Sequence, residues 1–219
     1  MKPGALGFGM MRLPVLNGGP TNIDYETLNS MVDAFMDAGY NYFDTSYVYH
    51  NGESENALRK AVVERYPRER FLIATKFPTF NMPKEDQVEN IFMEQLAKLG
   101  VDYVDYYLLH NVQTVLYDGM DGKGGVIQKS HLFDHLKSWK ESGKAKHIGI
   151  SFHSGPELLE RVLKEHPEIE FVQLAINYID WASEFVRAKD CYEIARKYGK
   201  QIIVMEPVKG GCLASIPEE

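Results

Sequence analysis

The sequence predicts an α/β protein, a (β/α)8 barrel of the TIM type that is truncated after strand seven. Short apolar runs alternate with longer amphipathic runs along the 219 residues, which favours a parallel sheet covered by helices. Polar residues follow consecutive runs, as the loops of a barrel require. An open doubly wound sheet, the second choice, would concentrate them at one crossover point. A complete barrel has eight strands and about 250 residues, and this chain ends soon after its seventh apolar run.

Seven short apolar runs are predicted as strands. They are Leu6–Gly9, a run ending at Tyr42–Phe43, Phe71–Ala74, Tyr106–Leu109, His147–Ile150, Phe171–Ala175 and Ile202–Met205. We expect one domain over residues 1–219 that lacks the C-terminal strand and helix. An unclosed barrel has two open edges, so we also expect self-association through those edges.

Six amphipathic segments between the strands are predicted as helices. In the first, Leu28, Met31, Val32 and Phe35 follow the i, i+3, i+4, i+7 spacing and share one face. The second is predicted near Ser54–Arg65. Pro156 stands at a favoured first-turn position of another. Glycines that favour helix ends follow four of the segments, at Gly39, Gly100, Gly143 and Gly199.

Composition excludes several classes of function. The net charge of −7 makes the chain a poor candidate for nucleic acid, because phosphate binding needs clustered Lys and Arg. No apolar run is long enough to span a bilayer, and Met1–Leu6 has no hydrophobic core, so no secretory signal is expected. Cys191 and Cys212 do not form a C-x-x-C pattern. We therefore expect a location in the reducing cytoplasm.

Four polar side chains are predicted to meet where strands two, three and four end. Asp44 directly follows strand two, and Tyr49 lies five residues later in the same loop. Lys76 ends strand three and His110 ends strand four. Neighbouring strands are about 4.8 Å apart, so these side chains can converge at the mouth of the barrel. Catalytic groups of such barrels come from this face.

The four residue types suit the reduction of a carbonyl group, which needs a hydride from one side and a proton for the developing oxyanion. A tyrosine has an ordinary pKa of about 10, and the Lys76 ammonium would lower the pKa of a neighbouring phenol. Asp44 would hold Lys76 in place. His110 would hydrogen-bond the carbonyl oxygen and orient it.

Several alternatives stay open on spacing alone. Tyr47 competes with Tyr49 as the acid, and His50 is an alternative base. Each polar residue taken singly also has an ordinary structural explanation, such as a turn cap or a solvated strand end. A metal-dependent hydrolase is a weak third reading, because His110 lacks a second His or carboxylate in a ligand pattern.

Four motifs of this sequence occur in the same order and spacing in one known family. They are Phe43–Tyr49 with Gly52–Glu55 after it, Ala74–Lys76, Val104–His110 and Gly143–Ser151. Together they resemble the motifs of the aldo-keto reductase family, and the likeness runs from about Leu6 to Gly211. The resemblance implies a barrel that reduces aldehydes and ketones with NADPH, without a metal.

The resemblance also assigns roles to individual residues. It implies that Tyr49, rather than Tyr47, donates the proton, and that Asp44, Lys76 and His110 complete a catalytic tetrad. It implies a small carbonyl compound as the substrate.

Cofactor contacts follow from the same resemblance. Ser151 and Gln173 match positions that hold the nicotinamide carboxamide, and Met205 stands where many members place an aromatic ring. The backbone N–H groups of the loop after strand seven could meet a pyrophosphate, although an ordinary turn is as good a reading. The expected cofactor-binding set is therefore Ser151, Gln173, Met205, Glu206, Lys209 and Gly210.

Two departures from the family pattern bear on cofactor binding. Phe152, followed by His153, stands where Asn commonly follows the matching serine. The loop and helix that grip the adenosine phosphate after strand eight have no counterpart in the chain. The alternative hypothesis is therefore a cofactor-deficient, truncated barrel that acts as a non-catalytic binding module.

Overall fold

The structure is a computed structural model that describes residues 2–215. Met1 and residues 216–219, the segment in which the barrel is predicted to be cut short, lie outside the described residues. Seven strands form one sheet in chain order, and each pairs in parallel with the next. They are β1 (Gly7–Gly9), β2 (Tyr42–Asp44), β3 (Leu72–Phe77), β4 (Val104–Val112), β5 (Ala145–Phe152), β6 (Phe171–Ala175) and β7 (Gln201–Met205). This sequential order confirms the predicted barrel and rejects the doubly wound sheet.

Helices connect the strands in the described part of the chain. They are α1 (Tyr25–Asp37), α2 (Ser54–Leu58), α3 (Glu85–Leu99), α4 (Thr114–Tyr117), α5 (Val126–Lys129), α6 (Leu132–Glu141), α7 (Pro156–Glu165), α8 (Tyr178–Trp181) and α9 (Ala188–Lys197). Asp24 caps α1, because its carboxylate accepts from the Thr27 amide at 3.1 Å. No helix in residues 2–215 has the length and apolar character needed to cross a membrane.

The sheet separates two sets of buried side chains because neighbouring residues of a strand face opposite sides. Outward residues such as Phe43, Ile73 and Tyr107 pack beneath the helices. Inward residues such as Tyr42 and Phe171 fill the inside of the curled sheet. The polar residues of the predicted site continue the inward rows toward the carboxyl ends of the strands.

Strand boundaries differ from the sequence prediction by one to three residues; β3, for example, extends to Phe77, which places Lys76 inside the strand. Strand β4 begins at Val104 rather than Tyr106, because the buried Asp105 is paired with Arg68 and so does not interrupt the strand. It also extends to Val112, which places His110 inside the strand instead of at its end. The predicted second helix is a short α-helix followed by one π-helical turn at Arg59–Val63.

Candidate active site

Lys76 lies at the centre of the site. Its side chain points inward from β3 and is only 1% exposed. The ammonium donates to Asp44 Oδ1, to the Thr45 carbonyl oxygen at 2.8 Å and to Tyr49 Oη at 3.2 Å. Burial disfavours the charged ammonium, but Asp44 and then Tyr49 outweigh it and raise the pKa of Lys76 above its ordinary value. All three ammonium donors therefore have partners, and the lysine stays charged.

Tyr49 reaches Lys76 through a tight turn after β2. His50 and Asn51, which follow it, have left-handed φ values of 52° and 53°. Burial raises the pKa of Tyr49, and the nearby Lys76 ammonium lowers it without cancelling that effect. The expected net lowering is therefore wrong for the free chain: Tyr49 is a protonated phenol at neutral pH, held at the lysine.

His110 is a neutral imidazole beside the tyrosine. Its Nδ1 lies 3.0 Å from Ser46 Oγ, and its ring meets the Tyr49 ring edge to face with centroids 5.7 Å apart. Burial, followed by repulsion from Lys76 and His153, lowers the pKa of His110 to about 3. The side chain can thus offer a hydrogen bond without carrying a charge.

The two competitors named by the sequence have other partners. Tyr47 Oη donates to Glu94 Oε2 on α3 at 3.1 Å. His50 Nε2 accepts from the Leu13 amide at 2.9 Å. The structure brings Tyr49 to the Lys76 ammonium, and it directs Tyr47 and His50 to partners elsewhere.

Gln173 connects this cluster to the other half of the barrel mouth. Its Nε2 donates to Asp44 Oδ2 at 2.8 Å across the interior, from β6 to β2. The orientation of the amide is fixed, because an ionised carboxylate only accepts hydrogen bonds. The Gln173 Oε1 atom is buried and has no hydrogen-bond partner among the described residues. One acceptor therefore remains available at the centre of the mouth.

Ser151 and Met205 lie next to this acceptor. Ser151 is paired in register with Gln173, and its Oγ lies 3.3 Å from His153 Nε2 and 3.9 Å from Met205 Sδ. The departure from the family pattern thus places an imidazole against the serine hydroxyl.

The loop after β7 holds the last three residues of the expected cofactor set. Glu206 is exposed and has a left-handed φ of 55°. Lys209 Nζ lies 2.5 Å from Asp180 Oδ1 on α8. Gly210 has a left-handed φ of 67°, a conformation that favours glycine. The structure therefore pairs Lys209 within the chain instead of leaving its charge open.

Sequence reasoning missed three residues of the site. The Thr45 carbonyl and the Ser46 hydroxyl contact Lys76 and His110, and both follow Asp44 directly. The Phe80 ring lies 5.3 Å from the His110 ring. Proximity to Asp44 could have suggested the first two, whereas no spacing rule singles out Phe80. Within residues 2–215, no cluster of His, Cys, Asp and Glu has the arrangement of a metal site.

Comparison with known proteins shows which family this chain resembles. The family model described as "Aldo/keto reductase family" matches residues 5–217. A protein of Glycine max, "Probable aldo-keto reductase 1", is 28% identical over 214 residues, which is 94% of this chain and 56% of that protein. The "NAD(P)H-dependent D-xylose reductase" of Scheffersomyces stipitis is 28% identical over 163 residues, 68% of this chain and 51% of that one. The chain thus spans about half the length of these curated relatives.

Solved structures show the same fold. An aldo-keto reductase from Klebsiella pneumoniae, in complex with NADPH, has a TM-score of 0.71 at 16% identity, with 94% of this chain and 65% of that chain covered. The holo form of an aldo-keto reductase from Bacillus halodurans has a TM-score of 0.71 at 22% identity, with 99% and 66% covered.

Proposed function

The chain belongs to the aldo/keto reductase family, and we propose that it reduces an aldehyde or ketone to an alcohol by hydride transfer from NADPH. The observation that carries this proposal is the buried hydrogen bond between Lys76 and Tyr49, beside a neutral His110. It provides a positioned proton donor and a second donor for the same oxygen.

The residues around Gln173 fit a nicotinamide. A carboxamide offers two N–H donors and one acceptor. Gln173 Oε1 is a buried acceptor without a partner, and the Ser151 hydroxyl can donate to the carboxamide oxygen. Met205 is half-buried beside Ser151 and offers an apolar surface. When NADPH is bound, it supplies the hydride, and these three residues orient the ring.

Tyr49 is proposed to donate the proton to the developing alkoxide. In the free chain it is protonated, because burial raises its pKa more than Lys76 lowers it. As the phenol loses its proton, the Lys76 ammonium 3.2 Å away stabilises the phenolate. Asp44 holds the ammonium in place, because its Oδ1 accepts another of the three ammonium hydrogens.

His110 is proposed to orient the substrate oxygen. If the Ser46 hydroxyl donates to Nδ1, the ring carries its hydrogen on Nε2 and can donate it to the carbonyl oxygen. A pKa of about 3 keeps His110 neutral at working pH. The proton therefore comes from Tyr49, since a neutral imidazole is a much weaker acid than an imidazolium.

The test is a titration of the purified chain with NADPH, with NADH in parallel, followed by a screen of carbonyl substrates. We expect saturable binding of NADPH and its oxidation by at least one aldehyde. Tyr49→Phe should lose turnover and keep cofactor binding, while Tyr47→Phe, the matched control, should keep both. Binding of neither cofactor would reject this function and favour the non-catalytic binding module. Full turnover of Tyr49→Phe would reject only the role of Tyr49.

Three broader expectations remain proposals. We propose that residues 1–219 form one domain, and that the unpaired edges of β1 and β7 in the described sheet lead to self-association. Concentration-dependent mass in sedimentation would support the second idea, and a constant monomer would reject it. The two unbridged cysteines fit a reducing compartment, so we propose the cytoplasm.

A further inference from the structure

A buried carboxylate, Glu55, lies behind the candidate site on the opposite face of β3. It belongs to α2 and is 0% exposed. Its Oε1 accepts from Thr75 Oγ1 at 2.6 Å and from Gln95 Nε2 at 2.7 Å. Its Oε2 lies 3.2 Å from the Lys98 ammonium of α3. A buried charge is costly even when paired, so three partners at this point of the sheet call for an explanation.

The contacts of Glu55 lead to the main chain of the catalytic lysine. Gln95 Nε2 also donates to the carbonyl oxygen of Lys76 at 3.1 Å, and Gln95 Oε1 accepts from Tyr107 Oη on β4 at 2.5 Å. Thr75, which Glu55 also binds, directly precedes Lys76. The Glu55 carboxylate therefore fixes Thr75 directly and the Lys76 carbonyl through Gln95. Both lie at the point of β3 from which the Lys76 side chain enters the barrel.

We propose that Glu55 is a positioning residue, which acts through Thr75 and Gln95 to set the place of Lys76 relative to Tyr49. This inference rests on the proposed role of the Lys76–Tyr49 pair. It adds a network on the outer face of the sheet that none of the proposed contacts with substrate or cofactor uses. The Nζ–Oη hydrogen bond of 3.2 Å is its point of action.

The charges around the two groups separate a positional effect from a direct electrostatic one. Glu55 faces Lys98 and the polar groups of Thr75 and Gln95. Tyr49 faces Lys76, Asp44 and Glu206, together with the His110 ring. If Glu55 acted on Tyr49 through space, removing its negative charge would make the phenol easier to ionise. If Glu55 acts by holding Lys76, its removal weakens the lysine contact and makes the phenol harder to ionise.

The chain offers a matched control near the N-terminal end of β3, where Asp105 of the neighbouring β4 contacts that strand. Asp105 is also a buried acid, and its Oδ2 accepts from the Ile73 amide of β3 at 2.9 Å and pairs with Arg68 at 2.6 Å. Glu55→Gln and Asp105→Asn each neutralise one buried carboxylate that holds β3. Both should reduce stability, but only the first lies next to Lys76.

The experiment measures the ionisation of Tyr49 directly, by nuclear magnetic resonance of tyrosine labelled with ¹³C at Cζ, with the signal assigned by its loss in Tyr49→Phe. At one alkaline pH near the midpoint of the unaltered chain, Glu55→Gln should lower the ionised fraction of Tyr49. Asp105→Asn should leave that fraction unchanged. In turnover, Glu55→Gln should reduce kcat by about tenfold or more, since small misplacements have large effects, with an unchanged Kd for NADPH.

Gln95→Leu gives a second route if Glu55→Gln does not fold, because it breaks the link to the Lys76 carbonyl and keeps the Glu55–Thr75 and Glu55–Lys98 contacts. It should lower the ionised fraction of Tyr49 as well. An equal fraction in Glu55→Gln and Asp105→Asn, or a higher fraction in Glu55→Gln, would overturn the proposal. An unaltered chain without any turnover would contradict the proposed function, while the Tyr49 ionisation would still decide the role of Glu55.

Discussion

The two halves of the barrel mouth differ in how completely their polar groups are paired within the chain. On the β2–β4 side, each donor of Lys76 has a partner, and His110 is held by Ser46. On the β5–β7 side, the buried Gln173 Oε1 has no partner among the described residues. The chain therefore holds the proton-handling side chains in place through its own contacts, with the Tyr49 and His110 hydrogens free for the substrate, and it leaves a buried acceptor open in the half where the cofactor is proposed.

Asp44 joins the two halves. Its Oδ1 receives the Lys76 ammonium and its Oδ2 receives the Gln173 amide. A ligand that binds at Gln173 would therefore be coupled to the lysine through one carboxylate. The difference between the halves predicts that substitutions on the β2–β4 side mainly reduce stability, whereas substitutions on the β5–β7 side mainly reduce affinity for the cofactor.

Lys76→Met should have the largest effect on stability. It leaves Asp44, with a side chain only 17% exposed, without its cation. Breaking such a buried pair by removing one partner costs about 3 kcal/mol or more. Urea unfolding should show this loss, and turnover should disappear. Lys197→Met is the control, since Lys197 pairs with Glu160 on the surface; a similar loss in both would contradict the special status of the buried pair.

A pair of buried glutamines, Gln95 behind β3 and Gln173 in the barrel mouth, compares a fully paired side chain with one that has an open acceptor. Gln95→Leu removes an amide whose donors and acceptor are all used, and we expect a loss of about 3 kcal/mol in the free energy of unfolding. Gln173→Leu removes one hydrogen bond, to Asp44 Oδ2, together with an unpartnered oxygen, so the loss should be smaller, about 1 to 2 kcal/mol. NADPH affinity should fall about tenfold in Gln173→Leu alone.

Urea unfolding and an NADPH titration of both variants check this comparison. If Gln173→Leu lost as much stability as Gln95→Leu and bound NADPH normally, Gln173 would be an ordinary core residue. The open acceptor would then have no bearing on the cofactor.

Lowering the pH should destabilise the chain through His110. In the unfolded chain, His110 binds a proton below its ordinary pKa of about 6.5, whereas in the folded chain its pKa is about 3, because it is buried and lies near Lys76 and then His153. The unfolded state therefore holds more protons between these values. The stability contribution is complete above pH 6.5 and is lost as the pH falls toward 3.

Between pH 7 and pH 5 this linkage amounts to about 2 kcal/mol. His110→Gln should reduce the pH dependence of the unfolding free energy over that interval. The pKa values of His153 and His166 are also lowered by burial, so part of the dependence should remain. If His110→Gln left the pH dependence of the unfolding free energy unchanged, the pKa of His110 in the folded chain would lie near its ordinary value.

The order of the strands could be predicted from the sequence, because apolar runs and the polar residues after them repeat along the whole chain. The boundaries could not, since Asp105 is polar and still lies inside β4 with Arg68 as its partner. Composition along the chain does not reveal a pairing between residues 37 positions apart. The same limit explains why Glu55 was visible only as part of a motif: its partners Thr75, Gln95 and Lys98 lie on other elements.

The choice between Tyr47 and Tyr49 shows a different limit. Both follow Asp44 within five residues, and the turn between them, at Val48, has helical backbone angles (φ −96°, ψ −10°). Local spacing does not determine that turn. The sequence also predicts the wrong direction for the pKa of Tyr49, because it reveals the neighbouring lysine but not the degree of burial, and burial has the larger influence on that pKa.

The smallest expected effects concern the loop after β7, where the sign of the change is more informative than its size. Lys209 is 41% exposed, whereas its partner Asp180 is buried and also accepts from Asn177 Nδ2, so Lys209→Met should reduce stability by about 1 kcal/mol, less than the loss of the buried Lys76 ammonium. If the ammonium binds a cofactor phosphate, Lys209→Met should weaken NADPH binding a few-fold and make it less sensitive to salt.

Asp180→Asn should have the opposite effect on affinity, because it releases the ammonium from its partner within the chain. NADPH titrations of both variants at low and high salt measure the two signs. Weaker binding in Asp180→Asn would mean that the pair holds the loop in its binding shape, and that the charge of Lys209 does not reach the cofactor. In that case the loop of the second half is pre-organised like the tetrad of the first, and the difference between the halves is confined to Gln173.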